Sequence, residues 1–433
     1  MLIQWSGLAR ISEVEKGAKE GMTIQNICGI PVIISEIPYT RAATVSIWIN
    51  RGARDEIFPE EHGLTHFLEH MVFKGSKTRT ATDISREIER VGGDLDAFTS
   101  RDHLCFIARV PAEKLELGVE LLTDMLTRPS FRPEDVKLEK SVVQEEIRMM
   151  RDDPDDSGDE LFMSCIYPKE ALGRSILGTE STVDNFTPIM LREMLGHCIG
   201  QKELVVSVAG RVDEKAVLDL VEPLTVSATN ESVSPRNDGT QPFFPGSKKV
   251  EREGMTATNL YMAWPLPILE LRVQQVISIL NNVYGGGMSS RLFQKVREDS
   301  GLAYMVFSSP TFFRNEGHLY VSATTAPENA RKVLKIMMDE GAGLRDTLTA
   351  DEVEDARNQL IGRLELSLET STSQAMWGGH NMLRYNRLIT LREVLDIVRD
   401  ISYHEVQELS AEIFAEEKLT TLMYGNLNGI SDR

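Results

Sequence analysis

Between residues 223 and 248 the chain reads PLTVSATNESVSPRNDGTQPFFPGSK, a stretch rich in Ser, Thr, Asn, Pro and Gly with no sustained hydrophobic periodicity. Such a segment has no face to bury and reads as an interdomain linker or long loop. It divides the 433 residues into halves of about 200 each, and a half of that size can enclose its own core. The two halves carry the same order of elements. In the first, PVIISEI and ATVSIWIN have the β-branched, apolar character of strands. Helical periodicity follows at about 62–73 and 80–91, then extended segments at about 95–100 and 103–110, then helices at about 111–127 and 133–151. In the second, ATNLYMAW reads as a strand and LRVQQVISILNNVY as a helix stopped by Gly285-Gly286-Gly287. SSRLFQKVRED predicts a further helix, AYMVFSS and GHLYVSATT predict strands, and long helices fill most of the remainder. The pattern predicts an α+β chain of two similar domains, each an antiparallel sheet with helices packed on one face. The expected boundaries are a lead-in at 1–22, a first domain at 23–222, the linker at 223–248 and a second domain at 249–433. Residue identity between the halves is negligible, so the duplication rests on element order alone.

Composition narrows the function classes. Hydrophobic residues are 41% and charged residues 26%, ordinary for a globular protein. A net charge of −19 argues against nucleic acid as a partner. A generally acidic surface explains that charge more simply than charge-based substrate selection does. The acidic run RDDPDDSGDE at 151–160 reads as a solvated loop and helix start. No apolar run is long enough to cross a bilayer, so membrane insertion is not expected. The first residues, MLIQWSGLARISEVEKGAKEGM, mix charges and lack an unbroken apolar core, which fits neither a secretory signal nor a transit peptide. Cys28, Cys105, Cys165 and Cys198 are widely spaced without a CxxC pair, as expected for buried thiols in a reducing compartment. The expected location is the cytoplasm.

Histidine is scarce, with eight in the chain, yet His62, His66 and His70 fall within nine residues. His66 and His70 are four apart, so on a helix their rings leave one face a turn apart, a spacing that suits two imidazoles on one tetrahedral zinc. Glu69 leans toward the same face without needing to be a ligand, where a general base would stand. Leu64, Phe67, Leu68, Met71 and Val72 form the apolar stripe beside it, and Lys74 and Gly75 are reasonable stop signals. The alternative is an exposed helix with chance histidines: this composition yields H-x-x-[DE]-H in about two chains in a hundred. The pattern favours a metal site and calls for a third ligand. In EKSVVQEEIRMM, Val143, Ile147 and Met150 form an apolar stripe with Glu146 between them, and a carboxylate on a buried face needs a cation or strong donors. Glu139 lies two turns earlier on nearly the same face. On the residues alone, a ligand role for Glu146 and a place at the stripe's edge reaching water are equally good readings.

The run HGLTHFLEHMVFKGSKTRTATDISREIERVGGDLDAFTSRDH resembles the signature of the M16 peptidases, the inverted zincins with H-x-x-E-H. It is most similar to the subfamily of the mitochondrial processing peptidase and its bacterial relatives. The likeness continues through EKSVVQEEIRMMRDDPDD and GGGMSSRLFQKVREDSGLAY and spans most of the chain from about residue 25. The resemblance implies that His66 and His70 are zinc ligands and that Glu69 is the base. It implies that the third ligand is Glu146, with the adjacent Glu145 a weaker alternative, and that Glu139 supports the site from behind. It also implies a substrate clamp by Arg297 and Tyr304, which could hold a peptide carbonyl or an oxyanion. Read without the resemblance, these two are a surface arginine and a core tyrosine. The family's substrate-pairing edge strand usually reads N-A-x-T; here it is Asp96-Ala97-Phe98-Thr99, which replaces an amide with an acceptor-only carboxylate.

The resemblance implies a zinc-dependent endopeptidase that hydrolyses unfolded peptides, which add a strand to the sheet edge near 96–101. In this family a two-domain chain builds its closed chamber by pairing with a second chain. A homodimer is therefore expected, with Arg297 and Tyr304 acting on the partner's site. A hetero-oligomer with an inactive homologue is the other arrangement. Rival functions are a specific presequence-type processing peptidase and a non-catalytic assembly subunit. Members of the last kind usually lose part of the metal set, and none of His66, Glu69, His70 and Glu146 is lost here.

Overall fold

The computed structural model describes residues 17–19, 21–200, 203–227, 237–267 and 270–428. Twelve strands form two sheets among them. The first sheet uses β1 (Gly17–Lys19), β2 (Met22–Ile27), β3 (Ile30–Glu36), β4 (Ala42–Ile49), β5 (Asp94–Thr99), β6 (Leu104–Pro111) and β7 (Leu204–Gly210), in the order β1-β2-β3-β7-β4-β6-β5. The second uses β8 (Gly246–Glu251), β9 (Thr258–Pro265), β10 (Ala303–Phe312), β11 (Gly317–Thr325) and β12 (Thr420–Gly425), in the order β10-β11-β9-β12-β8. The α+β class and the two-unit plan agree with the reading of the sequence. Each sheet is mixed rather than wholly antiparallel: β3 and β7 run parallel, as do β8 and β12. In both cases the paired strands are far apart in sequence, so long connections set their direction.

Two compact units emerge, and neither is contiguous in sequence. One gathers the chain up to Ile147, Ser175–Asn237 and Leu366–Thr390; the other gathers Arg148–Arg174, Asp238–Glu365 and the chain from Leu391. One boundary between these units, Asn237/Asp238, falls within 223–248, and 148–174 and 366–390 each join the unit opposite their half. The helix Glu214–Ser227 runs into the 223–248 segment, Gly246 already starts β8, and 228–236 lie outside the described residues, as do 1–16 and 20 of the lead-in.

In the first unit both sheet faces are covered. Val32, Ile34, Val45 and Ile47 point to one face and join the helices Leu64–Val72 and Leu115–Thr127 in the main core. Ile33, Trp48, Cys105 and Val205 point to the other and meet Met382 and Leu388. That second layer is the helix Ser371–Tyr385, which comes from late in the chain. The expectation of helices on one face therefore fails for this unit. The continuous apolar run of β3 carries the reason, and on β4 Thr44 and Ser46 interrupt the run but find partners in the covering helix, the Ser371 hydroxyl and the Ala375 carbonyl. In the second unit, Tyr261, Ala263, Leu422 and Tyr424 pack against Phe162 and Ile166 of the helix Pro154–Ile166. Gly158 makes that approach close, for a Cβ there would lie 2.2 Å from the Tyr261 hydroxyl. Among the described residues no helix is long and apolar enough to cross a membrane.

Candidate metal centre

The helix Leu64–Val72 buries Leu64, Phe67, Leu68, Met71 and Val72, as its periodicity predicts. Its first turn is set by groups outside the motif. Gly63 stands at φ +90°, and a Cβ there would lie 2.5 Å from the Leu177 carbonyl oxygen. The Glu56 carboxylate accepts the Gly63 N–H at 2.9 Å and the Thr65 N–H at 2.8 Å, satisfying two donors at the helix start. Burial pushes the Glu56 carboxyl up to about 8, while these two backbone bonds pull it back down. His62, the first histidine of the cluster, is not part of the metal set. Its Nε2 lies 2.9 Å from the Ser175 carbonyl oxygen and ties down the segment that packs on Gly63.

His66, His70 and Glu146 come together. Each offers one ligand atom, and the three atoms lie within 4.8 Å of one another. Nε2 of His66 is 3.6 Å from Oε1 of Glu146, and Nε2 of His70 is 3.5 Å from its Oε2. The imidazole rings are 4.6 Å apart at 61°. Val143 and Ile147 are buried beside Glu146, whose own side chain is 42% exposed. Glu146 sits at the stripe's edge, and there it faces the histidine pair. Glu145 is exposed instead.

Oε2 of Glu146 is buried and has no hydrogen-bond partner among the described residues, nor does Nδ1 of His66. Orphaned polar atoms of this kind are costly, and two imidazole nitrogens with a carboxylate oxygen are the donor set of a catalytic zinc. The residues fit a zinc ion. Burial, helped by the charge on His70, lowers the His66 pKa to about 3, which keeps it neutral and able to ligate. Burial also pushes the Glu146 carboxyl up, as does the neighbouring Glu139, against the pull of His70.

Behind His70 stands a relay. Nδ1 of His70 lies 2.8 Å from Oε1 of Glu139, and Lys74 Nζ lies 2.5 Å from its Oε2. Burial opposes the charge on Glu139, but the bonds from His70 and Lys74 outweigh it and hold the carboxyl below its ordinary value. An ionised carboxylate only accepts, so the His70 Nδ1–H is the donor and Nε2 is left facing Glu146. Burial likewise disfavours the charged form of His70, yet the Glu139 bond and the nearby carboxylates overcome it and raise its pKa.

Glu69 is half-buried on the same helix, and burial raises its pKa against a hydrogen bond from Thr99. The Thr99 hydroxyl donates to Oε2 of Glu69 at 2.5 Å. Thr99 ends β5, the edge strand of the first sheet. Along β5, Leu95 and Ala97 pack on the main core, while Phe98 packs on the opposite layer against Trp48, their rings 5.8 Å apart. By strand alternation Asp96 shares the face of Phe98, and it is exposed. Of the four residues expected to meet substrate, Thr99 thus has its side chain engaged with Glu69, and Phe98 has its side chain in the sheet's far layer.

Arg297 and Tyr304 belong to the second unit. Arg297 sits on a π-helical turn, Phe293–Glu298, with its guanidinium carbon 4.9 Å from the Phe293 ring centroid and 5.0 Å from that of Tyr304. Tyr304 is 82% exposed at the start of β10, so it is not the core tyrosine of the alternative reading. Both line an open cavity of about 490 Å³ together with Leu302 and Thr325.

The sequence and fold of other proteins show what this arrangement belongs to. Residues 31–180 match the family model described as insulinase (peptidase family M16), and residues 185–360 match that of the peptidase M16 inactive domain. The chain belongs to peptidase family M16. It is 33% identical over 403 residues to the uncharacterized zinc protease YmxG of Bacillus subtilis, covering 93% of this chain and 97% of that one. An uncharacterized zinc protease of Streptomyces coelicolor is 34% identical over 396 residues, covering 89% and 85%. Among solved structures, a protease from Helicobacter pylori shares the M16 fold at TM-score 0.85 and 19% identity, covering 94% of this chain and 99% of that one. A protein from Pseudomonas fluorescens described as a peptidase M16 inactive domain matches at TM-score 0.85 and 17% identity, covering 93% and 97%. As an M16 protein with zinc-protease relatives, the chain carries the metal motif in the half matched by the peptidase model and no HxxEH in the half matched by the inactive one.

Two contributors escaped the reading of the sequence: Glu56 caps the metal helix and Lys74 anchors Glu139. Lys74 left a trace only as a basic residue one turn past His70 that read as a helix stop, and Thr99, expected on the substrate edge, turns its hydroxyl to Glu69.

Proposed function

We propose that this M16 protein is a zinc-dependent endopeptidase that cleaves unfolded peptides, with Glu69 as general base. The observation that carries the proposal is the convergence of the His66, His70 and Glu146 ligand atoms within 4.8 Å, with Glu69 on the same helix tied to an edge strand through Thr99. Zinc bound there would supply a Lewis acid that polarises the scissile carbonyl and acidifies the attacking water. Glu69 takes a proton from that water and hands it to the leaving amine, and burial raises its pKa so that it holds that proton more firmly than an ordinary carboxylate. β5 offers an unpaired edge on which an extended peptide can add a strand, so recognition is mainly through backbone and specificity is broad. Arg297 and Tyr304 of a second copy would complete the site, making the active species a homodimer that encloses a chamber. Four free cysteines fit a reducing compartment, and we assign the protein to the cytoplasm.

The test is Glu69→Gln. The variant should keep its zinc and lose chelator-sensitive cleavage of a quenched, unstructured peptide; full activity would overturn the assignment. Mixing Glu69→Gln chains with Arg297→Ala chains should restore activity if the clamp acts across the dimer. Absence of restored activity would refute that arrangement.

A further inference from the structure

The edge of β5 is not equally open along its length. The hairpin between β5 and β6 fixes which main-chain groups face outward. Ser100 N–H donates to the His103 carbonyl at 2.8 Å, so that pair is hydrogen-bonded. The register continues through Thr99 opposite Leu104, Phe98 opposite Cys105, Ala97 opposite Phe106 and Asp96 opposite Ile107. Antiparallel pairs alternate, so Phe98 and Asp96 bond inward to β6. Leu95, Ala97 and Thr99 therefore turn their N–H and C=O groups to the free edge. The Ala97 N–H is already taken: it donates to Oδ1 of Asp96 at 2.9 Å. A carboxylate acceptor makes this a charge-assisted bond, stronger than an amide oxygen at the same position would make.

We propose that Asp96 is a gate on the substrate edge, a specificity-determining residue whose carboxylate must leave the Ala97 N–H before a peptide strand can pair there, and that peptides carrying Lys or Arg beside it open the gate best. The inference rests on the strand-addition reading above. A neutral peptide must displace the carboxylate and leave it without its donor, whereas a cationic side chain on the same face gives the displaced carboxylate a new partner. Asp94 lies two residues away on that face, also exposed, and extends the preference along the strand.

The experiment compares wild type, Asp96→Asn and Asp96→Ala with two unstructured quenched peptides that differ only in having Lys or Ser at the positions facing Asp96. For the neutral peptide, KM should fall about three- to tenfold in Asp96→Ala, the worth of one net hydrogen bond, with Asp96→Asn in between. For the lysine peptide the fall should be less than about twofold, because the lost ion pair cancels it. Site-resolved amide exchange on the same proteins reads the cap directly, and Ala97 should be protected in wild type and exposed in Asp96→Ala. Unchanged Ala97 exchange, or an unchanged KM for the neutral peptide, would overturn the gate; equal falls for both peptides would overturn its cationic preference. A wild type that cleaves neither peptide would instead count against the peptidase reading. In that event, peptide affinity measured by fluorescence anisotropy on the zinc-loaded protein carries the same comparison of the three variants.

Discussion

Glu139 stands behind His70, and if the site holds zinc as proposed, replacing this carboxylate should weaken that hold. The carboxylate is almost wholly buried, with 4% of its side chain exposed, and both oxygens are engaged: Oε1 with His70 Nδ1 at 2.8 Å and Oε2 with Lys74 Nζ at 2.5 Å. Glu139→Ala removes the acceptor that fixes the His70 tautomer, so the ring is free to rotate and to carry its proton on the ligating nitrogen. It also leaves Lys74 without its buried partner. Losing a partner of this kind weakens a metal site about 10–100-fold, which is about 1.4–2.8 kcal/mol. Glu139→Gln should lie near the lower end, since one oxygen can still accept from Nδ1–H while the ammonium of Lys74 faces a neutral amide. The assay is competition for zinc with a chelating dye at pH 7.5, with thermal unfolding of the metal-free proteins as a control on folding. Glu146→Gln, which changes one of the three groups proposed to hold the ion, should lose more than either. Zinc affinities of both Glu139 variants within twofold of wild type would refute the claim that this carboxylate orients His70.

Thr99→Val removes the hydroxyl that donates to Glu69 and should lower kcat about tenfold, the loss expected for a hydrogen bond to a charged group. Zinc content should be unchanged and Thr99→Ser should restore the rate, whereas a valine variant with wild-type kcat would show that Glu69 needs no such support. The buried His66 has its pKa lowered to about 3 from an ordinary 6.5, so between those values the unfolded chain binds a proton that the folded one does not. Stability contributed by this group is therefore lost as pH falls. Going from pH 6.5 to 5 should remove about 2 kcal/mol at about 1.4 kcal/mol per unit. Urea midpoints of chelator-treated wild type should drop over that interval more steeply than those of His66→Gln, and parallel slopes would contradict this. Gly379→Ala would set a Cβ 2.0 Å from Trp48 Nε1 where the 371–385 helix crosses the sheet, so unfolding should move down by about 1–3 kcal/mol or more. A variant as stable as wild type would mean that this helix is not seated on Trp48.

What could be read from the residues alone follows the range of the forces involved. Helix 64–72 and its stripe are local facts, as are the strands at 258–265 and 317–325, and spacing alone identifies them. The His66–His70 pair was legible for the same reason, being two positions on one helix. Glu146 was legible only halfway. Periodicity shows which face a residue is on but not what covers that face, and no local signal separates an edge carboxylate in water from one aimed at two imidazoles. Non-local pairings left no periodic trace. Nothing in 366–390 marks it as the second covering layer of a sheet whose strands begin more than 300 residues earlier, although the continuous apolar run of β3 implies that some layer must exist.

The same distinction bears on Asp96-Ala97-Phe98-Thr99, where four residues expected to act together on substrate divide by strand geometry. Thr99 turns inward to Glu69, Phe98 outward to the far layer, and Ala97 presents its main chain to the edge. Asp96 alone touches that edge through its side chain, and it does so by covering the donor that a substrate would use. An amide at this position could offer a donor to an incoming carbonyl, but the carboxylate can only accept. This departure from the family's pattern therefore falls beside a main-chain donor of the free edge. Under the proposed strand addition, changing the acceptor at a single edge N–H is the simplest way to change which peptides enter.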